Sequence, residues 1–477
     1  MPGKHLLPLL LASLFAASTA HAAIDLIAIG SVSGSYEDFA IATAGPLENG
    51  VPGNRLGGIG SGLAYAGCNT FLALPDRGPN ATPYNSAVDN TTSYITRFQT
   101  LNLSLAPSDP GAALPFTLTP FLTATTLLWS RTPLFYGTGA GLGLDSGAPA
   151  LNTQRIHYFT GRSDNFDPTK LSTNPDNARL DPEGIRVSRD GKSVFISDEY
   201  GPYVYQFDRT SGRRLKAFTL PSKFAVSNLS PVGNAEINGN TSGRVANKGM
   251  EGLAITPDGK TLVGIMQAPL IQDGGKTIRI VTIDIATGTT HEYAYALTTG
   301  SGVSEILAVN DHEFLVDERD GNGLGDNSAA AVKTLCKIDL TGAQDVSNMS
   351  GSANLAPVAV SKTEFLDIVK ALTDHGIDVR HIPAKLEGLA FGQDVVIADV
   401  TKHTLYLVND NDFTATTTVT VAGIATKVEN PNQFFVFAFD SADLPGFVPQ
   451  KIRAFSPRCP DSREDGDDGK HFNDHHQ

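Results

Sequence analysis

The feature that most constrains the fold is a strand–turn–strand unit that recurs along the chain. Each copy begins at a polar residue, continues as a short alternating apolar strand, turns, and ends in a second apolar strand. The copies begin at Glu183, Glu251, Glu305 and Glu387, with a fainter copy at Ser61. An Asx-Gly pair between two alternating apolar runs, such as Asp190-Gly191, is a strong signal for a β-hairpin.

A second hairpin follows the first in three of the copies. It consists of a strand, an aspartate, a short turn with glycine and another strand, and its aspartates are Asp208, Asp284 and Asp339. Two hairpins form a four-stranded antiparallel sheet, and such sheets repeated radially form a β-propeller. The 47 glycines supply the many turns that this fold needs. We therefore predict an all-β fold, a β-propeller.

The spacing of the units predicts the number of blades. The step from Ser61 to Glu183 is about twice the later ones, so we expect a degenerate blade within residues 114–158 and six four-stranded blades in total. Five or seven blades are also compatible with this spacing. The apolar run of residues 23–34 is expected to add a strand to the last blade and close the ring. Residues 361–376 predict a helix, and the long loop of residues 222–248 is expected to wall the site.

Both ends of the chain lie outside the predicted propeller. Residues 1–22 have a basic start at Lys4, an apolar core and the pattern Ala20-His21-Ala22, which together predict a secretory signal peptide. Residues 458–477 are acidic and nearly devoid of apolar side chains, which predicts a flexible tail. The propeller is assigned to residues 23–457. Three cysteines allow at most one intramolecular disulfide, and the sequence does not say which.

Charge and missing motifs exclude several classes of function. The formal net charge of −14 argues against a nucleic-acid-binding protein, which needs a basic surface. No stretch after residue 22 reaches 18 apolar residues, so we expect no membrane span. The chain has neither a His-Glu-x-x-His zinc motif nor a Gly-x-Ser-x-Gly nucleophile motif. We expect a monomer located in the periplasm or secreted into the medium.

Carboxylates recur where a propeller's strands face one mouth of its channel. Glu183 and Glu251 are the predicted catalytic acids, and Arg77 and Arg319 are the predicted donors to an anionic group. So many acids repel one another unless a cation is present, and oxygen ligands in this number suit calcium. The predicted metal ligands are Asp76, Asp198, Glu199, Glu305, Glu318, Asp320, Glu387, Asp410 and Asp412.

The repeated Glu-Gly pair also has an architectural interpretation. A glutamate at the start of each innermost strand can accept hydrogen bonds from the backbone of the next blade, in which case it holds neither metal nor substrate. Asp208, Asp284 and Asp339 precede tight turns, so we interpret them as turn caps.

Six motifs stand in order along most of the mature chain. They are Asp76-Arg77-Gly78, Asp181-Pro182-Glu183-Gly184, Ser197-Asp198-Glu199-Tyr200-Gly201, Glu251-Gly252-Leu253, Glu318-Arg319-Asp320 and Asn409-Asp410-Asn411-Asp412-Phe413. Together they resemble the phytase-like propeller family, exported bacterial proteins described as having esterase-like activity of the phytase type. The resemblance implies a calcium-stabilised propeller and phosphoester hydrolysis.

Two functions from different classes follow from these observations. The first is an exported calcium-dependent ester hydrolase, foremost a phosphoesterase, with its site at the channel mouth and a small-molecule ester or phosphoester as substrate. A carboxylic-ester or lactone hydrolase is a close variant. The second is a non-catalytic propeller of the cell envelope that binds a ligand or a protein. The chain has no lysine cluster suited to a highly phosphorylated substrate.

Overall fold

The computed structural model describes residues 24–80, 91–139, 145–170 and 172–452. The predicted signal peptide, Ala23 and the predicted acidic tail lie outside the described residues. Within them, five antiparallel sheets dominate and helices are few, as expected for an all-β propeller.

The strands are numbered along the chain. β1 (Asp25–Val32) precedes blade 1, which contains β2 (Gly62–Tyr65), β3 (Thr70–Leu74), β4 (Arg97–Pro107) and β5 (Phe116–Leu127). The short strands β6 (Trp129–Ser130) and β7 (His157–Tyr158) pair with each other. Blade 2 contains β8 (Pro182–Val187), β9 (Ser193–Asp198), β10 (Tyr203–Asp208) and β11 (Arg214–Thr219). Blade 3 contains β12 (Met250–Ile255), β13 (Thr261–Met266), β14 (Thr277–Asp284) and β15 (Thr290–Ala296).

The last two blades complete the set. Blade 4 contains β16 (Gly302–Ala308), β17 (Glu313–Arg319), β18 (Lys333–Asp339) and β19 (Lys362–Asp367). Blade 5 contains β20 (Lys385–Phe391), β21 (Val395–Ile397), β22 (Val400–Asp410) and β25 (Asn432–Phe439). Between β22 and β25 the chain forms a separate hairpin of β23 (Thr416–Val421) and β24 (Ile424–Glu429).

The propeller has five blades, so the prediction of six is wrong. The innermost strands β2, β8, β12, β16 and β20 each contact the next, and β20 contacts β2, which completes the ring. The doubled step arises because β4 and β5 are unusually long, at 11 and 12 residues, and are followed by an insertion before β8. Within residues 114–158, β5 is the outer strand of blade 1 and the remaining strand pair is only two residues long.

The N-terminal strand lies at the outer edge of blade 5. β1 pairs antiparallel with β25, in the same sheet as β22 and β20. Its Gly30 lies so close to blade 1 that an added Cβ would come within 2.8 Å of the Leu118 carbonyl oxygen. The ring itself is completed on the inside, by the contact of β20 with β2, so the N-terminal strand joins the last blade but does not close the ring as predicted.

Helices are short and lie outside the sheets. They are α1 (Gly233–Gly239), α2 (Ser352–Leu355) and α3 (Ile368–Asp374). The prediction of a helix over residues 361–376 is wrong in its first half, because Lys362–Asp367 forms β19 on the outer edge of β18. α3 begins only after Asp367, whose side chain accepts a hydrogen bond from Lys370 N. Among the described helices, none is long and apolar enough to cross a membrane.

The core lies between the faces of neighbouring blades. Apolar side chains of β12, β13 and β14 pack together with those of β16, and β20, β22 and β25 pack likewise, with Phe435 and Phe437 fully buried. Cys336 of β18 is buried and free, whereas Cys68 is disulfide-bonded. The tight packing fixes the innermost strands around the channel, which positions the site described next.

Candidate functional site: an acidic cavity at one channel mouth

A polar cavity of about 60 Å³ lies where the innermost strands begin. Nine of its eleven lining side chains are ionisable, and the eleven come from all five blades and one loop. They are Asp76, Arg77, Glu183, Glu199, Asn247, Glu251, Gln267, Arg319, Lys385, Glu387 and Asp410. Three of the four repeated glutamates therefore converge, together with both predicted arginines.

A β-bulge aims the glutamates of blades 3 and 5 into the cavity. In blade 3 the pairing passes from Met250 with Met266 to Gly252 with Ile265, so Glu251 has no partner in the ladder. In blade 5 the pairing skips Glu387 in the same way, from Leu386 to Gly388. In a bulge the extra residue is unpaired, and its side chain no longer follows the regular alternation between the two faces of the sheet. The two carboxylates therefore point into the channel.

The glycine after each glutamate allows adjacent blades to approach closely. A Cβ on Gly184 would lie 2.6 Å from the Leu253 Cβ atom, and one on Gly252 would lie 2.7 Å from the Ile306 amide nitrogen. No real Cβ fits at those distances. The two residues of the Glu-Gly pair therefore have different roles. The glycine allows adjacent blades to pack closely, and the glutamate faces the channel.

Blade 4 departs from this pattern by one residue. There the pairing passes from Val303 to Glu305, so Ser304 occupies the bulge and Glu305 takes the place of the glycine. Glu305 Oε1 accepts a hydrogen bond from Leu253 N at 2.9 Å, and its Oε2 lies 2.9 Å from Arg186 Nη2. Burial raises the pKa of Glu305 to about 7 although Arg186 opposes the shift. Glu305 is thus placed away from the cavity, and the architectural interpretation describes it.

Arg186 fills the channel below the cavity. Its guanidinium donates hydrogen bonds to the carbonyl oxygens of Leu63 at 2.8 Å and Ile306 at 3.0 Å, in addition to the ion pair with Glu305. Beyond it, Gln450 Nε2 from the C-terminal segment donates to the Val187 carbonyl oxygen at 2.9 Å. The cavity is therefore reached from the mouth at which the innermost strands begin.

The blade 1 to 3 side of the cavity is a carboxylate cluster. Asp76, Asp181 and Glu183 bring one oxygen each within 4.8 Å of one another, and so do Glu183, Glu199 and Glu251. Glu183 belongs to both groups. It is only 7% exposed and forms no hydrogen bond or ion pair with any described residue, although an unpartnered buried carboxylate is costly.

The acids of this cluster resist ionisation in the absence of a cation. Burial, and then the neighbouring Glu251, raise the pKa of Glu183 well above its ordinary value. Burial, and then Asp410, do the same to the pKa of Asp76. The pKa of Glu199 is raised to about 7 by burial first and by Asp181 next. A cation placed among these oxygens lowers all of these pKa values.

The blade 4 and 5 side carries two of the three bases, Arg319 and Lys385, and both are paired. Arg319 Nη2 donates to Glu387 Oε1 and lies 3.8 Å from Glu251 Oε1. Lys385 Nζ bridges two acids, at 2.7 Å from Asp410 Oδ2 and 2.6 Å from Asp412 Oδ1. The cavity therefore has an acidic half, on the side of blades 1 to 3, and a half in which acids and bases form ion pairs, on the side of blades 4 and 5.

Arg77 belongs to the acidic half. Its Nη1 donates to Asp181 Oδ2 at 2.8 Å and also to Asn247 Oδ1. Asn247 comes from the end of the long loop of residues 222–248 and has a left-handed φ of 54°. Such backbone strain in a residue other than glycine persists where the surroundings fix it. This loop therefore reaches the cavity through Asn247.

Five predicted ligands lie outside the cavity lining: Glu305, Asp412, which pairs with Lys385, and also Asp198, Glu318 and Asp320. Asp198 Oδ1 accepts from the backbone amides of Asp181 and Tyr200, at 3.1 and 3.0 Å. Glu318 faces the other side of β17, where Tyr295, Thr299 and Lys362 donate to it. Asp320 accepts from Val332 N at 2.9 Å and pairs with Lys333 at 3.2 Å. Each carboxylate is satisfied by its local partners.

Four lining or adjoining residues escaped the sequence reasoning: Asp181, Asn247, Gln267 and Lys385. Asp181 stands in the quoted motif two residues before Glu183, and Gln267 follows β13 where Glu199 follows β9. Gln267 Nε2 donates to Glu251 Oε1 at 2.6 Å. An alignment of the sequences that follow the second strands would have identified Gln267 as a candidate residue. Asn247 lies in a loop outside the repeated units, so the repeat could not identify it.

A family comparison decides the relationship of this chain. The family model "Phytase-like: Esterase-like activity of phytase" matches residues 54–413, which include every cavity residue. The chain belongs to this phytase-like family. An "Uncharacterized secreted protein" of Arthroderma benhamiae is 31% identical over 326 residues, covering 57% of this chain. The chain spans 60% of the length of that relative.

Solved structures resemble this phytase-like chain only distantly. A luciferin-regenerating enzyme is 11% identical with a TM-score of 0.33, covering 83% of this chain and 97% of that one. A putative 6-phosphogluconolactonase from Bacteroides uniformis is 12% identical with a TM-score of 0.29, covering 79% and 88%. Likenesses this low carry no argument about the present protein.

Proposed function

We propose that this protein is an exported, calcium-dependent ester hydrolase that acts on phosphoesters at the acidic mouth of its channel. The observation that carries the proposal is Glu183, a buried carboxylate without a partner that belongs to two groups of three converging acids. Membership of the phytase-like family supports hydrolysis, and the name of the Arthroderma relative supports secretion.

The donor chemistry of the acidic half fits calcium. The converging groups are all carboxylates, from Asp76, Asp181, Glu183, Glu199 and Glu251. Calcium accepts six to eight oxygen ligands in flexible geometry, whereas zinc and copper sites use nitrogen and sulfur. Among the described residues no histidine or cysteine lines the cavity. Asp76, Asp181, Glu183 and Glu199 would hold the calcium, which when bound offsets the charge of phosphate oxygens and lowers the pKa of a bound water.

The other lining residues have separate tasks in the proposed reaction. Glu251 Oε1 is occupied by Gln267, which leaves Oε2 to accept the proton of the attacking water. The water oxygen bonds to phosphorus and the bond from phosphorus to the ester oxygen breaks. The leaving oxygen then takes a proton from solvent water, so that the products are the alcohol and inorganic phosphate. Arg77 and Arg319 stabilise the charge that develops on the phosphoryl oxygens.

A hydrolase panel on the purified protein tests the proposal. Phosphomonoesters, phosphodiesters, carboxylic esters and lactones are assayed in excess calcium and after chelation. Phosphoester hydrolysis that disappears on chelation and returns with calcium is expected, and Glu183→Gln should remove it. Glu313→Gln serves as the matched control, because Glu313 pairs with Lys337 at the far end of β17. Calcium binding without hydrolysis of any ester would favour the ligand-binding propeller instead.

A further inference from the structure

A second cavity, of about 440 Å³, lies outside the blades. It is formed by two inserted segments, the insertion between β5 and β8 and the long loop of residues 222–248. The insertion supplies most of the wall, and Pro231 of the loop supplies the rest. None of the described residues lines both this insertion pocket and the acidic cavity. A volume of this size is typical of small-molecule sites.

Three aromatic side chains line the insertion pocket: Phe135, Tyr136 and Phe166. The side chain of Phe135 is 40% exposed, although its backbone is held on both sides. Its N–H donates to the Asp176 carbonyl oxygen at 2.8 Å, and its carbonyl oxygen accepts from Ala178 N at 3.0 Å. Covering an exposed ring inside a concave site with an apolar ligand removes that ring from water, which favours binding.

The two segments that form the pocket are joined by Arg179. Its guanidinium carbon lies 4.4 Å from the centroid of the Phe166 ring in the insertion. Arg179 Nη1 also lies 3.6 Å from Glu236 Oε2 in α1 of the long loop, and Arg244 lies 3.4 Å from the other oxygen of Glu236. All four side chains are buried. These contacts hold the walls in place before a ligand arrives, which lowers the cost of binding.

Asp164 places a buried carboxylate in the pocket wall, with 4% of the residue exposed. Its Oδ1 accepts from Arg162 Nε at 2.6 Å, and its Oδ2 accepts from Arg162 Nη2 at 3.1 Å. The ion pair offsets the charge of the carboxylate, but each oxygen has a second lone pair that can accept another hydrogen bond. Such a group suits a neutral donor, such as a hydroxyl, and repels a ligand carboxylate.

We propose that the insertion pocket binds a small, uncharged aromatic molecule that carries a hydroxyl group. The rings of Phe135, Tyr136 and Phe166 contact the aromatic part of the ligand, and Asp164 accepts a hydrogen bond from its hydroxyl group. This inference goes beyond the proposed function, because the pocket is separate from the acidic cavity and its ligand needs neither calcium nor an ester bond.

Fluorescence titration of the purified protein with 2-naphthol tests the pocket. One molecule should bind per chain, equally well in excess calcium and after chelation. The methyl ether of 2-naphthol has the same rings but no hydroxyl proton, so it should bind about tenfold more weakly, the usual effect of losing a hydrogen bond to a charged group. The anion 2-naphthoate should also bind more weakly than 2-naphthol, because its carboxylate meets Asp164.

Phe135→Ala removes the exposed ring and should weaken 2-naphthol binding by about tenfold. Phe121→Ala is the matched control, because Phe121 is also an exposed phenylalanine, 63% exposed on β5, and does not line the pocket. This control should bind 2-naphthol as the wild type does. Both rings are exposed, so the thermal midpoints of the two variants should stay close to that of the wild type.

The outcomes separate this inference from the proposed function. A wild-type protein that binds no 2-naphthol, or a Phe135→Ala variant that binds it as tightly as the wild type, overturns the inference whether or not esters are hydrolysed. Equal affinity for 2-naphthoate or for the methyl ether overturns the assigned ligand chemistry. Loss of 2-naphthol binding on chelation contradicts the separation of the two sites. Self-association that Phe135→Ala abolishes, without 2-naphthol binding, would mean that a second copy of the chain covers the pocket instead.

Discussion

Blades 3 and 4 carry the same repeat, yet their glutamates point in opposite directions. Glu251 occupies the bulge of blade 3 and faces the acidic cavity, whereas Glu305 follows the bulge of blade 4 and pairs with Arg186. Side chains alternate along a strand, so a shift of one residue moves a side chain to the opposite face. The position of a glutamate relative to the bulge therefore decides whether it serves the cavity or the architecture.

The largest expected effect comes from removing charge on the cavity side. Glu183→Gln and Glu251→Gln keep the shape of the side chain but remove a carboxylate from the calcium cluster. Calcium affinity and phosphoester hydrolysis should each fall by orders of magnitude. In chelator the free energy of unfolding should stay equal or rise, because buried like charges no longer repel. Calorimetry with calcium and denaturant unfolding measure the two effects.

The contrary result has a clear meaning. If both variants keep wild-type calcium affinity and hydrolysis, these glutamates only order the blade junctions, and the propeller is a binding module.

Glu305→Gln should give the opposite result. Its loss leaves the Arg186 guanidinium buried without its counter-ion, which typically costs about 3–5 kcal/mol of unfolding free energy. Calcium affinity should not change, since Glu305 does not line the cavity. Urea unfolding at pH 8, above the pKa of Glu305 of about 7, measures the loss with the carboxylate ionised. A Glu305→Gln protein of normal stability with weakened calcium binding would reverse the assignment of the two blades.

Calcium itself should stabilise the fold through the blade 1 to 3 side. A ligand that binds only the folded state adds about 2.7 kcal/mol at a hundred times its dissociation constant. The thermal midpoint should therefore rise with free calcium in the wild type and in Glu305→Gln, but hardly in Glu183→Gln. Midpoints that coincide in chelator and in millimolar calcium would refute a calcium site in the wild-type protein.

Much of the fold was readable in the sequence because it repeats. Turn pairs such as Asp190-Gly191 predicted the first hairpins, and the aspartates after the third strands predicted the second ones. The number of blades was misjudged because spacing measures the length of inserted loops as well as the number of sheets. The long β4–β5 hairpin and the insertion that follows it lengthen the sequence between blades 1 and 2 by about as much as an additional blade would.

The candidate site could be predicted only for residues that occupy equivalent positions in the repeated units. Glu183, Glu251 and Glu387 recur at one position of the strand, so their convergence was predicted. Aligning Glu305 with them failed because Ser304-Glu305 differs from Glu-Gly by one residue, and only pairing registers reveal the slip. Asn247 reaches Arg77 from a distant loop, a tertiary contact that no local pattern encodes.

Stability in chelator should depend on pH in a direction set by the acidic half. Burial raises the pKa of Glu199 to about 7, above that of the unfolded chain. Below the pKa of the unfolded chain, Glu199 is protonated in both the folded and the unfolded state. Above about pH 7 it is ionised in both states, and the buried charge destabilises the folded state. Unfolding free energy in chelator should therefore fall as pH rises from about 4.5 to about 7. Calcium affinity should rise over the same range, because the ligands must lose their protons. Parallel denaturant series at fixed pH values measure both trends.

The smallest effects are expected where blades 3 and 4 are alike, at the turns after their third strands. Asp284 Oδ1 accepts from Thr287 N at 2.7 Å, and Asp339 Oδ1 accepts from Thr341 N at 2.8 Å, which confirms both as turn caps. Asparagine retains the oxygen that caps the turn, so Asp284→Asn and Asp339→Asn should each lower the thermal midpoint only slightly. The loss at Asp339 should be the larger of the two, because His312 Nδ1 also lies 2.9 Å from its carboxylate. Calcium affinity should match the wild type in both variants. A calcium defect in either one would mean that the blades also differ at their outer turns, and the contrast between Glu251 and Glu305 would no longer be confined to the bulge.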